Sequence, residues 1–458
     1  MHKSDIASTT RQPAVGDTSE QQARLAQLVE DLLLEAKQQG ASAAEAGVSQ
    51  DAGLSVNVRM GEVETIEHTR DQGIGITVYF GHRKASASTS DFSPDAIRET
   101  VRAACNIARF TTEDPCAGLA DPERMAGQIP DLDLHHPWGV SAEQAIELGI
   151  RCEAAAREVD PRINNSDGAT LDSHSGLQVY GNSHGFIGGY PSSRHSISCA
   201  VVGQQGDTMQ RDYWYTSARA QEDLEDPEQV GRKAGERTLA RLGARRLSTR
   251  QAPVIFQAEM AVSLLRSLIG AISGSSLYRR SSFLLDQLGQ PLFPDFVRIH
   301  EEPLLRRGLS SAPFDSEGVA TGAKDFVTNG ILESYVLGSY SACRLGMQST
   351  GNAGGVRNLA IEPGEQDLDG LLALMGEGLL VTEMMGSGLN MVTGDYSRGA
   401  SGFWVENGEI QYPVEEITIA GNLKQMFTGL VAVGRDEERR GSTRTGSWLM
   451  EPMTIAGE

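Results

Sequence analysis

Histidine and acidic side chains are the residues of this chain best suited to hold a catalytic metal, and their spacing argues against a helical zinc motif. In the pattern His-Glu-x-x-His, two imidazoles lie one turn apart on one helix face and the glutamate acts as base. The chain has a single His-Glu pair, His300-Glu301, and it runs directly into Glu302 and Pro303. No second histidine follows one turn later, so this motif is absent.

The other histidines leave a metal cluster open as an alternative. His135, His136, His174, His184 and His195 could converge in space. Scattered histidines in polar surroundings more often lie at the surface or in turns, and we favour that interpretation.

The chain also lacks the sequence context of an activated nucleophile. The chain matches Gly-x-Ser-x-Gly at Gly181 to Gly185, but these residues form a turn between two predicted strands. A nucleophile elbow needs a strand-to-helix turn, so no such elbow is present. Serines cluster at 275–276 and 281–282 without an evident His/Asp relay. Cys343 is predicted to lie between strands as a small buried hydrophobe.

A glycine-rich stretch from Met384 to Phe427 is the most distinctive local pattern. It contains the closely spaced glycines Gly386, Gly388, Gly394, Gly399 and Gly402. It then continues into a hairpin signal at Asn407-Gly408, a dipeptide that accepts the positive φ angles of a type I′ turn. Such glycines indicate backbone that closely approaches a ligand, a peptide or the core of the chain itself.

Two alternatives for this stretch are disfavoured. Gly386-Ser-Gly388 lacks the third glycine and the following helix of a nucleotide-binding loop, so a structural loop is the favoured interpretation. Asp395 and Glu406 are candidate acids. For Asp395 a turn-stabilising Asx role is favoured, and for Glu406 a solvated hairpin face.

Size and charge limit the possible functions. A chain of 458 residues predicts two or three domains. Its formal net charge of −21 and isoelectric point near 4.9 disfavour direct binding to nucleic acid, because an acidic surface repels phosphates.

Cysteine usage and hydropathy predict a cytoplasmic protein. The five cysteines are scattered and form no Cys-x-x-Cys pair, which favours reduced thiols. The first residues are polar and lack the apolar region of a signal peptide. The most apolar run, residues 261–272, is interrupted by Arg266 and too short for a bilayer, so no membrane association is expected.

Hydrophobic periodicity predicts an α+β fold. Leu25, Val29 and Leu32 mark an amphipathic helix that Gly40 ends, and helices are expected to begin at Ser93-Pro94 and Ser141. The remaining helices are predicted at 226–243, 260–274 and 367–375. Alternating residues predict separate strands at 54–58, 63–66 and 74–80, and two Asn-Gly hairpins predict a large antiparallel sheet or barrel towards the C-terminus.

These elements suggest four segments. Residues 1–18 are predicted to be disordered, 19–120 form an N-terminal α+β segment of helix and antiparallel-sheet layers, and 121–245 form a second α+β segment. Residues 246–458 form a β-rich, barrel-like domain.

The stretch from Ser387 to Asn422, SGLNMVTGDYSRGASGFWVENGEIQYPVEEITIAGN, resembles the signature of the PmbA (TldE) branch of the TldD/PmbA family. Further support comes from Pro313-Phe-Asp-Ser-Glu-Gly-Val319, from Asn329-Gly-Ile-Leu332 and from Ser349-Thr-Gly-Asn352. The resemblance extends over nearly the whole chain from about residue 20 and is most specific in the C-terminal half.

The resemblance implies a subunit of a cytoplasmic heterodimeric metallopeptidase, with a TldD-type paralogue as partner. Such an enzyme cuts unfolded or extended peptides, including a microcin precursor and an antitoxin, and the family also carries the label modulator of DNA gyrase. Peptides would bind as an added strand. The zinc site, a His-Glu-x-x-x-His helix with a later cysteine, belongs to the TldD-type partner.

At the positions that correspond to this zinc site, the chain has residues that do not bind zinc. The metal helix corresponds to residues 262–272, and the motif itself to Arg266–Ala271. The region of the late cysteine reads Ser442 to Gly446 and contains no thiol. Because arginine, alanine and threonine cannot replace histidine and cysteine as ligands, no catalytic residue and no cofactor are expected in this chain.

The sequence thus predicts a non-catalytic subunit that holds peptides while its partner cuts them. The residues expected to bind substrate are Gly386, Gly388, Thr393, Gly394, Asp395, Ser397, Gly399 and Trp404. The alternative is a homodimeric module that binds peptides without proteolysis, and a homodimer of the chain without its partner is left open. A hydrolase that uses serine or cysteine is a third, less favoured hypothesis.

Overall fold

Helices and mainly antiparallel sheets alternate along the chain, which confirms the predicted α+β class. The structure is a computed structural model and describes residues 18–457. The helices are α1 (Thr18–Gln38), α2 (Pro94–Ala108), α3 (Ala142–Arg157), α4 (Pro227–Ala240), α5 (Ala258–Ala271), α6 (Gly274–Tyr278), α7 (Ser339–Leu345), α8 (Leu368–Met375) and α9 (Leu423–Thr428).

The strands form three sheets within the described residues. They are β1 (Ala43–Arg59), β2 (Glu62–Phe80), β3 (Arg83–Thr89), β4 (Ile163–Asn182), β5 (Ile187–Gln205), β6 (Thr208–Ala218), β7 (Arg250–Phe256), β8 (Ile299–Glu301), β9 (Lys324–Thr328), β10 (Ile331–Leu332), β11 (Leu359–Ile361), β12 (Gly378–Met385), β13 (Asp395–Glu406), β14 (Glu409–Asn422), β15 (Leu430–Val433), β16 (Thr443–Arg444) and β17 (Trp448–Ala456). Their orders are β3-β2-β1-β4-β5-β6, β10-β9-β8-β11-β16 and β14-β13-β12-β7-β17-β15.

The described chain divides into two compact units. The first comprises the described part of Met1–Gln50 together with Asp71–Thr112 and Gly176–Pro191. In its core, α1 contributes Leu25 and Val29 and α2 contributes Val101, against Ile76 of β2. The apolar periodicity of α1 therefore predicted the buried face correctly.

The second unit comprises Asp51–Arg70, Glu113–Ser175 and Ser192–Glu458. One of its cores packs Cys152 of α3 and Val230 of α4 against Leu171 of β4. The largest core fills the C-terminal sheet and includes Phe256, Trp404 and Trp448.

The C-terminal sheet closes into a ring. Its strands run β14-β13-β12-β7-β17, and β17 also pairs with β14, where Thr418 lies opposite Ala456 and Ala420 opposite Thr454. Closure removes the free edges that an open sheet would present at β14 and β17 over these residues. The barrel-like sheet expected from the sequence is therefore confirmed.

Local turn and cap signals were predicted correctly. Asn329-Gly330 and Asn407-Gly408 both have positive φ angles, as two-residue hairpin turns require. Ser93 accepts a hydrogen bond from the Ala96 N–H, and Ser141 with Gln144 forms a complete capping box.

The strand prediction in the N-terminal region was wrong in two respects. The runs at 63–66 and 74–80 belong to one continuous strand, β2, and the third strand is β3, which the sequence did not indicate. The intervening residues 67–73 are polar and exposed on both faces, so they carry no apolar alternation to reveal the strand.

The predicted disordered segment 1–18 lies outside the described residues except for Thr18, where α1 begins. Within residues 18–457, no helix has both the length and the apolar character that crossing a membrane would require.

Cys343 differs from its prediction. It lies between β10 and β11 as expected, in α7, but it is exposed and not a buried hydrophobe. It forms a disulfide with Cys116 across a Cα–Cα distance of 5.6 Å. The expectation of five reduced thiols was therefore wrong for this pair, because the fold brings together cysteines 227 residues apart. Cys105, Cys152 and Cys199 are free and buried.

We predict that reduction of this disulfide destabilises the folded chain. A crosslink between distant residues restricts the unfolded chain, and its loss should lower the free energy of unfolding by roughly 2–4 kcal/mol. Urea unfolding with and without reductant measures the difference. The double variant Cys116→Ser/Cys343→Ser is the control and should not respond to reductant. An equal response of variant and wild type would contradict a stabilising role for the bond.

Candidate functional site

The glycine-rich loop between β12 and β13 is a tight, internally bonded hairpin. Gly386 and Gly394 have φ angles of +74° and +80°. The Ser397 N–H donates to the Gly388 carbonyl at 2.7 Å, and the Asn390 N–H donates to the Asp395 carbonyl at 2.9 Å. The glycines thus allow this loop to fold back on the start of β13.

Gly388 has no room for a side chain. A Cβ atom at this position would lie 1.4 Å from the Ser397 carbonyl oxygen, and the close approach is between two backbone segments. Neither segment can move aside as a flexible side chain would.

We predict that Gly388→Ala disrupts the loop and destabilises the chain by about 1–3 kcal/mol, the usual cost of forcing extra atoms into a packed site. Gly399→Ala in the neighbouring β13 is a matched control, because a Cβ there meets its nearest atom at an ordinary 3.5 Å. Thermal unfolding of both variants measures the effect. Equal stabilities for the two variants would contradict the proposed close approach.

The exposed polar side chains of the predicted site lie together at the start of β13. Thr393, Asp395 and Ser397 are exposed. The Asp395 carboxylate accepts hydrogen bonds from the Thr393 hydroxyl at 2.7 Å and from the Asn422 amide at 3.1 Å. These bonds hold the pKa of Asp395 below its ordinary value, so it stays ionised and is unsuited to donate a proton.

Trp404 occupies a different position from the other predicted residues. Its ring is 1% exposed and lies in the barrel core, where its Nε1–H donates to Glu406 at 3.0 Å. Among the predicted residues, Trp404 therefore lies in the core and not on the exposed surface. It shares the inward side of β13 with Tyr396 and Ala400, while its neighbour Val405 is buried in a second apolar cluster.

The backbone of β13 is already paired on both sides. It bonds to β14 along its length and to β12 from Gly399 to Val405. At its start the glycine-rich loop takes the place of β12, through the bridge between Leu389 and Tyr396. A peptide therefore cannot add a strand next to β13.

A free strand edge is found instead on β12. Its parallel pairing with β7 covers only Leu379 to Val381, because β7 ends at Phe256 and the chain then turns into α5. Beyond this point lie the last residues of β12, 382–385, of which Glu383, Met384 and Met385 pair with β13 on one side alone. They are half-buried or exposed, and no other strand of the described chain covers their second side. No local sequence pattern indicated this edge.

The more polar side of α5 lies beside this edge. Glu259, Ser263, Arg266 and Gly270 follow each other at helical spacing and are half-buried or exposed, whereas the opposite side of α5 packs into the barrel core. At the C-terminal end of the helix, a Cβ on Gly270 would lie 3.2 Å from the methyl group of Met391 in the glycine-rich loop.

A chain of ion pairs links the N-terminal end of α5 to β12. Arg237 bonds to Glu259 at 3.0 Å and to Asp212 at 3.3 Å. Arg241 bonds to Asp212 and also to Glu383 of β12. The same set of side chains therefore holds the start of α5 and the free part of β12. At the other end of α5, Met391 of the glycine-rich loop lies against Gly270.

The donor set on α5 does not fit a metal. Arg266 and Ala271 lie at the positions that correspond to the two histidines of the TldD-type motif, and neither offers a lone pair for zinc. Within residues 18–457, no group of three or more histidine, cysteine, aspartate or glutamate side chains is placed to hold a metal ion.

Several histidines do approach each other, but they bond to other partners. His195 lies between the Ser173 hydroxyl at 3.0 Å and the His136 carbonyl at 2.8 Å. His135 bonds to Ser175. Burial lowers the pKa of both His135 and His195, so both remain neutral near pH 7. This arrangement favours a structural role over the alternative of a metal cluster.

A buried carboxylate organises the loops around the second family motif of the sequence. Asp315 accepts backbone hydrogen bonds from Glu317 at 2.9 Å, Val319 at 3.0 Å and Ala353 at 2.9 Å. It thereby joins the motif at 313–319 to the segment after Asn352. Burial raises the pKa of Asp315 to about 6, despite these three donors.

We predict a pH-dependent contribution of Asp315 to stability. Because its pKa in the folded chain exceeds the ordinary value of 3.8, this contribution is fully present below pH 3.8 and is lost as the pH rises through about 6. The stability of wild type relative to Asp315→Asn should therefore fall between pH 4 and pH 7.

Urea unfolding of both proteins across this pH range measures the difference. Asp395→Asn serves as the control of opposite sign, because the lowered pKa of Asp395 makes its contribution decline as the pH falls. A difference between wild type and Asp315→Asn that does not change with pH would contradict the raised pKa.

Comparison with known proteins relates this geometry to a family. Residues 249–457 match the PmbA/TldA metallopeptidase C-terminal domain, residues 135–242 match the central domain, and residues 44–108 match domain 1. The chain is 54% identical over 415 residues to Metalloprotease PmbA of Escherichia coli, with 91% of this chain and 92% of that protein covered. It is 50% identical over 438 residues to the Metalloprotease PmbA homolog of Haemophilus influenzae, covering 95% and 97%.

Solved structures show the same fold. A protein of Bacteroides thetaiotaomicron described as a modulator of DNA gyrase is 28% identical with a TM-score of 0.90, and the match covers 94% of this chain and 98% of that chain. TldE of Thermococcus kodakarensis is 20% identical with a TM-score of 0.82, and the match covers 94% of this chain and 100% of that chain. At this identity the similarity supports the fold only.

Proposed function

Because the chain belongs to the PmbA branch of the TldD/PmbA metallopeptidase family, we propose that it is the peptide-holding subunit of a cytoplasmic TldD/TldE-type peptidase. A TldD-type paralogue would supply the zinc and cut the peptide. The substrates would be unfolded or extended peptides, and the resemblance suggests microcin maturation and antitoxin turnover as processes.

The observation that carries this proposal is the free edge of β12 at residues 382–385. An extended peptide can pair with such an edge through its backbone, which gives affinity with little dependence on sequence. Pairing there would place the peptide beside the polar side of α5 and the glycine-rich loop. The exposed predicted residues Thr393, Asp395 and Ser397 would then meet a part of the peptide outside the paired segment.

The composition of α5 supports a division of labour between two subunits. In this family the corresponding helix of the TldD-type subunit is expected to hold the metal, whereas here it carries Arg266 and Ala271. An arginine and an alanine cannot ligate zinc or activate water, so cleavage would require the partner's helix. The only link to DNA gyrase is in the names of similar proteins. The net charge of −21 disfavours a direct action on DNA.

We predict that the purified chain alone contains no stoichiometric zinc and cuts no unfolded peptide. Mixed with a TldD-type partner, it should form a complex on size-exclusion chromatography and the mixture should cleave the peptide. Metal analysis and a fluorogenic peptide assay measure both properties. Tight stoichiometric zinc with cleavage by the chain alone would overturn the proposal. Peptide binding without a complex would instead favour the alternative module that binds but does not cut.

Filling the space beside β12 should block the substrate. We predict that Ser263→Trp lowers peptide cleavage by the complex about tenfold or more, because a bulky ring on the polar side of α5 would compete with the peptide for the free edge; tenfold corresponds to a loss of about 1.4 kcal/mol. Leu374→Trp on α8 is the control, since Leu374 is already an exposed apolar side chain. Full cleavage by the Ser263→Trp complex would contradict the location of the groove.

A further inference from the structure

The outer edge of β2 is a second free strand edge, far along the chain from β12. β2 lies between β1 and β3, and its ladder with β3 begins only at Ile74, opposite Thr89. The first part of β2, residues 62–70, is therefore paired on one side alone within the described chain. We name this segment the β2 edge and propose that it pairs antiparallel with the β2 edge of a second copy of this chain.

The β2 edge is uncovered on both faces. Every residue from Glu62 to His68 is exposed, and the apolar Val63 and Ile66 are 42% and 45% exposed. A long exposed strand edge with apolar side chains is a pairing surface, and folded proteins usually cover or blunt such edges.

The edge is also held in place before any partner arrives. At the β1–β2 turn, the carboxylate of Glu153 accepts hydrogen bonds from the Met60 N–H at 2.8 Å and the Gly61 N–H at 2.7 Å. Glu153 itself is 1% exposed on α3. Anchoring of this turn reduces the conformational entropy that a partner strand would have to overcome.

The alternative explanation is that the charges on the β2 edge prevent pairing, as charged edge residues often do. If the charges served only to prevent edge-to-edge pairing, every symmetric register would place like charges opposite each other. Symmetric antiparallel pairing of two copies places residues of the same face opposite each other. The possible registers can therefore be compared one by one from the sequence.

One register is complementary on one face of the strand. With Ile66 opposite its own copy on the two-fold axis, Glu62 lies opposite Arg70 and Glu64 lies opposite His68. All these residues share one face of the strand, since they alternate along it. The opposite charges of Glu62 and Arg70 stabilise a strand pair, the carboxylate of Glu64 can accept a hydrogen bond from His68, and the central isoleucines add an apolar contact.

The neighbouring registers are poorer. Centring the pair on Glu64 or on Glu67 sets two carboxylates against each other at the axis, and directly facing like charges destabilise a strand pair. Centring on Thr65 sets Glu64 against Ile66. The charge pattern of the β2 edge thus selects a single pairing with a second copy, which a protective pattern would not do.

This inference is independent of the proposed function. The pairing involves only copies of this chain, without its paralogue, and the measured quantity is their self-association. Failure of the metal and cleavage assays would leave it standing, and its own failure would leave the division of labour standing.

A charge-exchange experiment tests the register. Light scattering with size-exclusion chromatography should find the full chain as a dimer, and Glu62→Arg or Arg70→Glu alone should raise the dimer dissociation constant by about tenfold or more, because each creates two like-charge pairs. The double variant Glu62→Arg/Arg70→Glu should restore the dimer. A monomeric wild type, or a dimer unaffected by either single change, would overturn the proposal.

Crosslinking tests the two-fold position without relying on charge. Ile66→Cys should form a dimer on mild oxidation, because the two residues face each other across the axis. Val63→Cys is the matched control: in this register the two copies of residue 63 lie six residues out of step, about 20 Å apart at 3.4 Å per residue. Efficient crosslinking of the Val63→Cys protein, or none of the Ile66→Cys protein, would overturn the register.

Discussion

The pairing of β17 with both β7 and β14 is the constraint on which the C-terminal half of the chain depends. β17 lies opposite β7 from Trp448 to Ile455 and opposite β14 from Thr454 to Ala456. These contacts close the sheet around a core that includes Trp404 and Trp448. Because a closed sheet fixes the orientation of each strand, closure decides which side of β13 is buried and which is exposed.

The short length of β7 explains why the ring leaves an edge at β12. β7 pairs with β12 over only a few residues before the chain turns into α5, and no strand of the described chain covers the second side of residues 382–385. The glycine-rich loop then covers the start of β13, where Gly388 approaches Ser397 too closely for any side chain. The glycine-rich loop thus covers the edge of β13, and the neighbouring β12 provides the free edge beside α5.

Local chemistry made part of this predictable. The Asn-Gly turns, the Ser93 and Ser141 caps and the buried face of α1 follow from a few adjacent residues, so the sequence indicated them. The β12 edge depends on the length of its neighbour β7, and the Cys116–Cys343 bond joins residues 227 apart, so neither has a local signal. The burial of Trp404 had no clear local signal, because Phe403 and Val405 beside it are also apolar and lie on the other face of β13.

We propose that this chain holds peptide along β12 while a TldD-type partner cuts it. Hydrogen–deuterium exchange of the two-subunit complex, with the partner's metal removed and an unfolded peptide added, is the most direct test. The peptide should slow amide exchange in residues 382–385 of this chain, whose second side has no strand partner within the described residues. Unchanged exchange there, with protection confined to the partner subunit, would show that the peptide does not bind along β12.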